Sequence, residues 1–339
     1  MSRAGAQTLI FDNPPAIAAH ISYAGPKEGQ GPLSEWFDVV LADDLLGQKS
    51  WELAESEMVR RAVEQALKTA GITAESVQAM LGGDLNNQII ASSFAARTLG
   101  IPFLGLYGAC STFIQATLLG ASLISGGYLD NAVCVASSHY CTAERQFRFP
   151  VELGNQRPPQ ASWTTTACGC SLLTANAAPD ALKVVSGTLG KVIDLQIKDA
   201  NHMGAAMAPA VCSTIEAHLA ETGRTADDYD LIATGDLGWI GRNILMELFH
   251  HDNVGMPDEK LVDCGASIFY QEQDTHAGGS GCGCVASVSC GWLMKRIERG
   301  ELHRVLIAGS GAMLSPTSCQ QGETIPGISY AVCIEGGAE

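Results

Sequence analysis

The stretch AGITAESVQAMLGGDL, residues 70–85, recurs as TGRTADDYDLIATGDL, residues 222–237, at a constant offset of 152 and without a gap. The identical pairs are Gly71/Gly223, Thr73/Thr225, Ala74/Ala226, Gly83/Gly235, Asp84/Asp236 and Leu85/Leu237. A run with apolar residues at helical spacing precedes each copy: LAESEMVRRAVEQALKTA at 53–70, which Gly71 terminates, and VCSTIEAHLAE at 211–221. Within the first copy, VQAMLGGD (77–84) reads as a strand entering a turn. A second correspondence follows in the same order, GGYLDNAVCVASS (126–138) with RGELHRVLIAGSG (299–311), each a helix stop and then an apolar strand. Upstream of each lies a glycine-rich turn that opens a helix, YGACST (107–112) and HAGGSGCGC (276–284). Two matches in one order describe an internally duplicated α/β chain. Its expected halves are 1–178 and 179–339, divided within NAAPDAL (176–182).

Composition limits the function classes. The chain has 339 residues, 46% of them hydrophobic, and a net charge of −16. That acidity opposes direct attraction to nucleic acid or anionic lipid. No segment is long and apolar enough for a membrane span. The opening MSRAGAQTLIFDNPPA carries too short an apolar run for a secretory signal. The twelve cysteines are therefore expected as reduced, intracellular thiols. Cys168/Cys170 and Cys282/Cys284 are spaced too closely for an ordinary metal site and lie among Ala, Gly and Ser, so they read as small buried apolar residues rather than zinc or iron–sulfur ligands. No cofactor is expected. GGSGCG has the wrong glycine spacing for a dinucleotide fingerprint, and Glu298, about 20 residues on, lies in a charged helical run.

The chemistry is expected where the duplication brings two helix starts together. Cys110 sits in one of them, in LYGACSTFIQA (106–116). Unpaired N–H groups and a partial positive charge there would lower a thiol's pKa, or would hold a carboxylate ligand. The plainer reading is a packed thiol.

The GACS turn, the HAGGSG turn and LIAGSGAM resemble the thiolase and β-ketoacyl synthase superfamily. This resemblance implies a five-layered α–β–α–β–α sandwich built from two βαβαβαββ halves. It makes Cys110 the counterpart of an acyl-accepting nucleophile and His276 of an active-site histidine. The departures are as informative. Ile307 stands where thiolases carry a second cysteine, and TGDLGWIGR (234–242) carries Asp236 where synthases carry histidine. Claisen chemistry needs a base and donors for an enolate oxygen. The site thus reads as degenerate and non-catalytic, with Cys110 and His276 as vestiges. The rival reading is an acyl-thioester-using enzyme with Cys110 as nucleophile. An aspartate near the thiolate would raise its pKa.

Longer segments, GKVIDLQIKDANHMGAAMAPA (190–210), DCGASIFYQEQDTHAGGSGCGC (263–284) and LIAGSGAMLSPTSCQQGETIPGISYAV (306–332), are similar to the stage V sporulation protein AD family of endospore-forming bacteria. This resemblance implies a protein that binds dipicolinic acid, with or without calcium, in the spore's dipicolinate uptake and release system. It also implies a peripheral position at the forespore or spore inner membrane, beside the integral membrane proteins of that system. A flat dicarboxylate could meet Cys110, Ser310, His276 and the segment holding Lys198, Asn201 and His202, with Trp239 stacked on its ring. Asp84 and Asp236 either cap turns or face the pocket, where they could coordinate a chelated calcium. Each has a plainer alternative: His202 as a core residue, Trp239 as a plug, Lys198 as a solvated charge. Met203 and Met207 read as helix packing, and His250 and His251 as helix-end residues, not metal ligands. A homodimer is expected through NAVCVASS (131–138).

Overall fold

The structure, a computed structural model, describes residues 2–147, 156–176, 178 and 181–336. The main sheet has thirteen strands among the described residues, ten of which form its continuous path: β1 (Ala16–Ala24), β2 (Met80–Gly83), β3 (Phe103–Gly105), β4 (Asn131–Ser138), β5 (Ala167–Thr174), β6 (Lys183–Leu189), β7 (Leu231–Thr234), β8 (Leu261–Asp263), β9 (Arg304–Ala312) and β10 (Gly327–Glu335). They run in the order β8-β7-β9-β10-β6-β1-β5-β4-β2-β3. The duplication is visible in that order. The first half reads β3-β2-β4-β5-β1 and the second β8-β7-β9-β10-β6, with parallel pairing about β2 and β7 and antiparallel pairing about β5 and β10. The halves meet where Lys183 pairs with Ala16. The expected boundary between 178 and 179 falls beside residues 177, 179 and 180, which lie outside the described residues.

Helices complete five layers. They are α1 (Trp51–Ala70), α2 (Ile90–Leu99), α3 (Thr112–Ser125), α4 (Tyr140–Phe147), α5 (Met203–Thr222), α6 (Gly238–His251) and α7 (Cys282–Val288). Helices α1 and α5 keep the offset of 152 at both ends, and each stops at a left-handed glycine, Gly71 (φ 70°) or Gly223 (φ 68°). Helix α5 begins at Met203, eight residues before the expected start. Pro209 and a run of small residues hide its first turns, but Ala206, Met207, Ala208 and Ala210 are buried, and that packing outweighs weak local propensity.

Helix α1 and the outer face of the first sheet share one apolar core, and α5 shares another with the second sheet. Helices α3 and α7 lie between the two halves of the sheet in the largest core, so both are mostly apolar around their circumference. This middle layer explains the Cys-x-Cys pairs. A Cβ on Gly169 would come within 2.1 Å of the Ala286 carbonyl oxygen, and one on Gly283 within 2.2 Å of the Ala167 carbonyl oxygen. Strand β5 and helix α7 therefore touch backbone to backbone. Cys168, Cys170, Cys282 and Cys284 are fully buried around that contact, and all twelve cysteines are free thiols.

The expected dimer strand requires correction. Strand β4 is paired along both edges, to β5 and to β2, and has no free edge to offer a second copy. The outer strand of that half is β3, where Leu104 and nearby Tyr107 are exposed. Among the described residues no helix is long and apolar enough to cross a membrane.

Candidate functional site

Cys110 sits in the turn joining β3 to α3. Ala109 before it takes a left-handed backbone, φ 49°, unusual for a residue with a Cβ. The turn is held by its own hydroxyls. Ser111 Oγ donates to the Gly108 carbonyl at 2.6 Å, and Thr112 Oγ1 donates to that of Ala109 at 2.6 Å. LIAGSG lies within strand β9, as its apolar run suggested. Its glycines admit the Cys110 turn: a Cβ on Gly311 would lie 2.4 Å from the Gly108 carbonyl oxygen.

Beneath Cys110 lies a buried polar relay. Asp236 follows β7 and is fully buried. Its Oδ1 accepts from Ser310 Oγ at 2.7 Å, and its Oδ2 from Ser280 Oγ at 2.9 Å and Gly281 N–H at 2.8 Å. Because the Ser280 proton is committed to Asp236, a Ser280 lone pair faces the Cys110 thiol, with Sγ and Oγ 3.9 Å apart. Burial pushes the Cys110 thiol well up, and the Asp236 carboxylate pushes it further. The activation expected from the helix start is thus reversed: desolvation and a nearby carboxylate outweigh a helix terminus.

A cavity of about 400 Å³ opens over this thiol between the halves. Tyr107, Cys110 and Thr164 line it from the first half, and Asn201, Met203 and Ser280 from the second. Helix α4 closes one side with Ala143, Glu144 and Phe147. No Lys, Arg or His lines it among the described residues. The space is typical of a small-molecule site, and its hydrogen-bonding groups are amides, hydroxyls and the Glu144 carboxylate.

The other sequence candidates scatter. Cys110 and Asn201 reach the cavity, and Asp236 and Ser310 lie beneath it. Asp84 does not face it. It is fully buried, and its oxygens accept from Asn86 N–H (2.9 Å), Ser92 N–H (2.8 Å) and Ser92 Oγ (2.7 Å), so it anchors α2. Lys198 is exposed, and Trp239 is 43% exposed on the first turn of α6; neither lines the cavity. His202 precedes α5, half-buried and outside the lining, with Nδ1 buried and unpartnered. His276 lies outside the lining too, its Nε2 3.7 Å from Asp274 Oδ1. Met207 packs as expected, and Met203 packs against the same core while also lining the cavity. His251 pairs with Asp252 at the end of α6.

Two contributors escaped sequence reading. Ser280 lies within HAGGSG, where the resemblance drew attention to His276 instead. Asp263, at the end of β8, is fully buried and accepts from Leu237 N–H (2.8 Å), Gly238 N–H (2.9 Å), Ala266 N–H (2.9 Å) and Thr234 Oγ1 (2.6 Å). The signal for it was an aspartate just before a run of small residues, DCGAS, in a capping position.

A duplicated five-layer α/β sandwich with a cysteine turn at its centre is the thiolase-like fold, and solved structures agree. The tetronic acid condensing enzyme AbyA1 superposes with a TM-score of 0.63 at 18% identity, over 95% of this chain and 100% of that one. The 3-oxoacyl-[acyl-carrier-protein] synthase III of Aquifex aeolicus VF5 gives 0.57 at 13% identity, over 95% and 99%. At these identities the likeness is one of fold. More specifically, the family model for Stage V sporulation protein AD matches residues 5–335. Stage V sporulation protein AD of Bacillus subtilis (strain 168) is 42% identical over 341 residues, spanning the full length of both chains. The chain belongs to the stage V sporulation protein AD family.

Proposed function

We propose that this chain is a non-catalytic binding protein for dipicolinic acid or its calcium chelate, in the spore's dipicolinate uptake and release system. The observation that carries the non-catalytic reading is the state of Cys110. A nucleophilic thiol needs a lowered pKa or an adjacent base. Here burial and Asp236 raise it, and no histidine lines the cavity among the described residues. Membership of the stage V sporulation protein AD family supports the ligand class, and the cavity is consistent with it. The cavity has room for a flat ring, and Asn201, Ser280, Thr164 and Tyr107 could hydrogen-bond carboxylate oxygens. With no cation in the lining, the charge-neutral calcium chelate is better matched than the free dianion.

Calorimetry with dipicolinate, with and without calcium, tests this reading. Saturable heat is expected, stronger with calcium, and modestly reduced in Cys110→Ala. Absence of heat and of any thermal shift would sink it and leave a structural subunit. The second reading, an acyl-thioester enzyme, draws on the condensing-enzyme neighbours. A covalent acyl adduct on Cys110 after incubation with acyl-CoA panels, seen by intact mass and accompanied by turnover, would establish it instead. A peripheral place at the spore inner membrane, held by integral membrane proteins, fits a chain of net charge −16 that would not adhere to anionic lipid unaided. A homodimer would form through the free edge of β3 rather than through β4.

A further inference from the structure

The short strand Trp163–Thr164 pairs with Gly279–Ser280. Thr164 and Ser280 line the cavity, and strand alternation turns Trp163 to the other side of that wall. There Tyr140 stacks on the indole at 3.8 Å, within 7° of parallel. With one face covered, the other is left to two cations: Lys27 Nζ is 4.2 Å and Arg157 Cζ 4.5 Å from the ring centroid. Two positive charges on one aromatic face stabilise the ring contact but repel each other.

Their hydrogen bonds do not neutralise them. Lys27 Nζ donates to the Gln273 carbonyl at 2.6 Å, and Arg157 Nη2 to the Asp274 carbonyl at 2.8 Å. Among the described residues neither makes an ion pair. The nearby acids are otherwise placed: Glu28 is buried and accepts from Thr166 N–H, and the exposed Asp274 carboxylate faces His276. Among the described residues Arg157 Nη1 is buried with no acceptor. Stapling residues 273–274 to the Trp163 strand accounts for Lys27 and for Nη2. It leaves two adjacent cations without an ion-pair partner among the described residues, and the orphaned guanidinium nitrogen, unexplained, in a chain carrying 36 acidic residues.

We propose that Lys27 and Arg157 form a binding site for an oxyanion, the carboxylate or phosphate group of a small molecule, beside the face of Trp163 that they cover. The Arg157 guanidinium supplies charge-assisted donors and Lys27 a second positive charge. The site is separate from the cavity and does not depend on what occupies it.

Titration calorimetry at constant ionic strength tests the proposal, with inorganic phosphate in one arm and acetate in the other. Saturable binding of at least one anion is expected, weakened at least about tenfold in the double variant Lys27→Met/Arg157→Leu. Saturation by phosphate alone assigns a tetrahedral ligand, and by acetate alone a planar one. Arg157→Lys keeps the charge but loses the fork, so it should weaken binding to an intermediate degree. With an unchanged near-ultraviolet circular dichroism spectrum, it carries the test if the double variant fails to fold. Binding by neither anion, or binding undiminished in the variants, overturns the proposal.

Discussion

Asp84 and Asp236 occupy the same place in the two copies of the repeat, each fully buried just past a parallel strand, but they do different work. Asp84 anchors the helix that follows it, through Ser92. Asp236 makes no such bond to its own helix and turns instead to Ser280, Ser310 and the Cys110 turn. The reason lies one strand away. The start of α6 is held by Asp263, which takes the N–H groups of Leu237 and Gly238. By register, Gly82 stands opposite Gly105 and its repeat counterpart Thr234 opposite Asp263, so the first half has glycine where the second has this carboxylate. With no side chain at 105, Asp84 must do the capping. With Asp263 present, Asp236 is released to the floor of the cavity. A duplicated scaffold becomes asymmetric through one residue on a neighbouring strand.

The largest effect should therefore fall on Asp263. Asp263→Ala orphans three buried N–H groups and takes the better acceptor from the Thr234 hydroxyl, and is expected to lose about 3–5 kcal/mol, measured by urea denaturation. Asp84→Ala, which strands fewer donors, should lose less. Equal losses at the two sites would break the comparison.

A pH effect of intermediate size separates these capping acids from a third. Glu28 is 1% exposed, and burial lifts its carboxyl from the ordinary 4.5 to about 8. Between those values the folded chain holds a proton that the unfolded chain has released, so stability falls as pH rises through the window. The slope is at most about 1.4 kcal/mol per pH unit for one proton. Glu28→Gln should flatten the decline between pH 5 and 8, seen as melting temperature against pH (about one proton's share of the slope). An unchanged slope would show that Glu28 is not the titrating group.

Sequence reading reached the architecture because the repeat is local: its helix, stop glycine and strand lie within one contiguous window, so a single offset reveals them. The site is not local. Cys110 could be found from its own turn, but its chemical state depends on Asp236, Ser280 and burial between the sheets, which are far apart in the chain. Lys198, Trp239 and His276 were plausible by residue type and near the right segments. Side-chain direction, which a segment does not encode, keeps them out of the cavity lining. Ser280 was hidden for the converse reason, since a serine among glycines carries no distinctive chemistry until its neighbours are known.

Asp236→Asn sharpens the comparison at the thiol. Burial is the larger cause of the raised Cys110 pKa and remains in the variant, so removing the charge should speed iodoacetamide labelling of Cys110 only about three- to tenfold. Labelling is read by mass spectrometry against the other thiols. Asp84→Asn should leave the Cys110 rate unchanged, and acceleration in both variants would mean general loosening rather than loss of a specific charge.

The smallest effect is expected at Trp239, and it bears on where the ligand sits. Its side chain is 43% exposed on the first turn of α6 and absent from the cavity lining, so Trp239→Ala should change stability by no more than about 0.5 kcal/mol. If the cavity over Cys110 is the dipicolinate site, the same variant should leave affinity within about twofold, whereas Asn201→Ala, which removes an amide from the wall, should weaken it about tenfold. Both are read from the same calorimetric titration. The reverse ranking, with Trp239 dominant and Asn201 neutral, would move the ligand out of the cavity to the surface of α6, and the asymmetry that frees Asp236 would then have no bearing on binding.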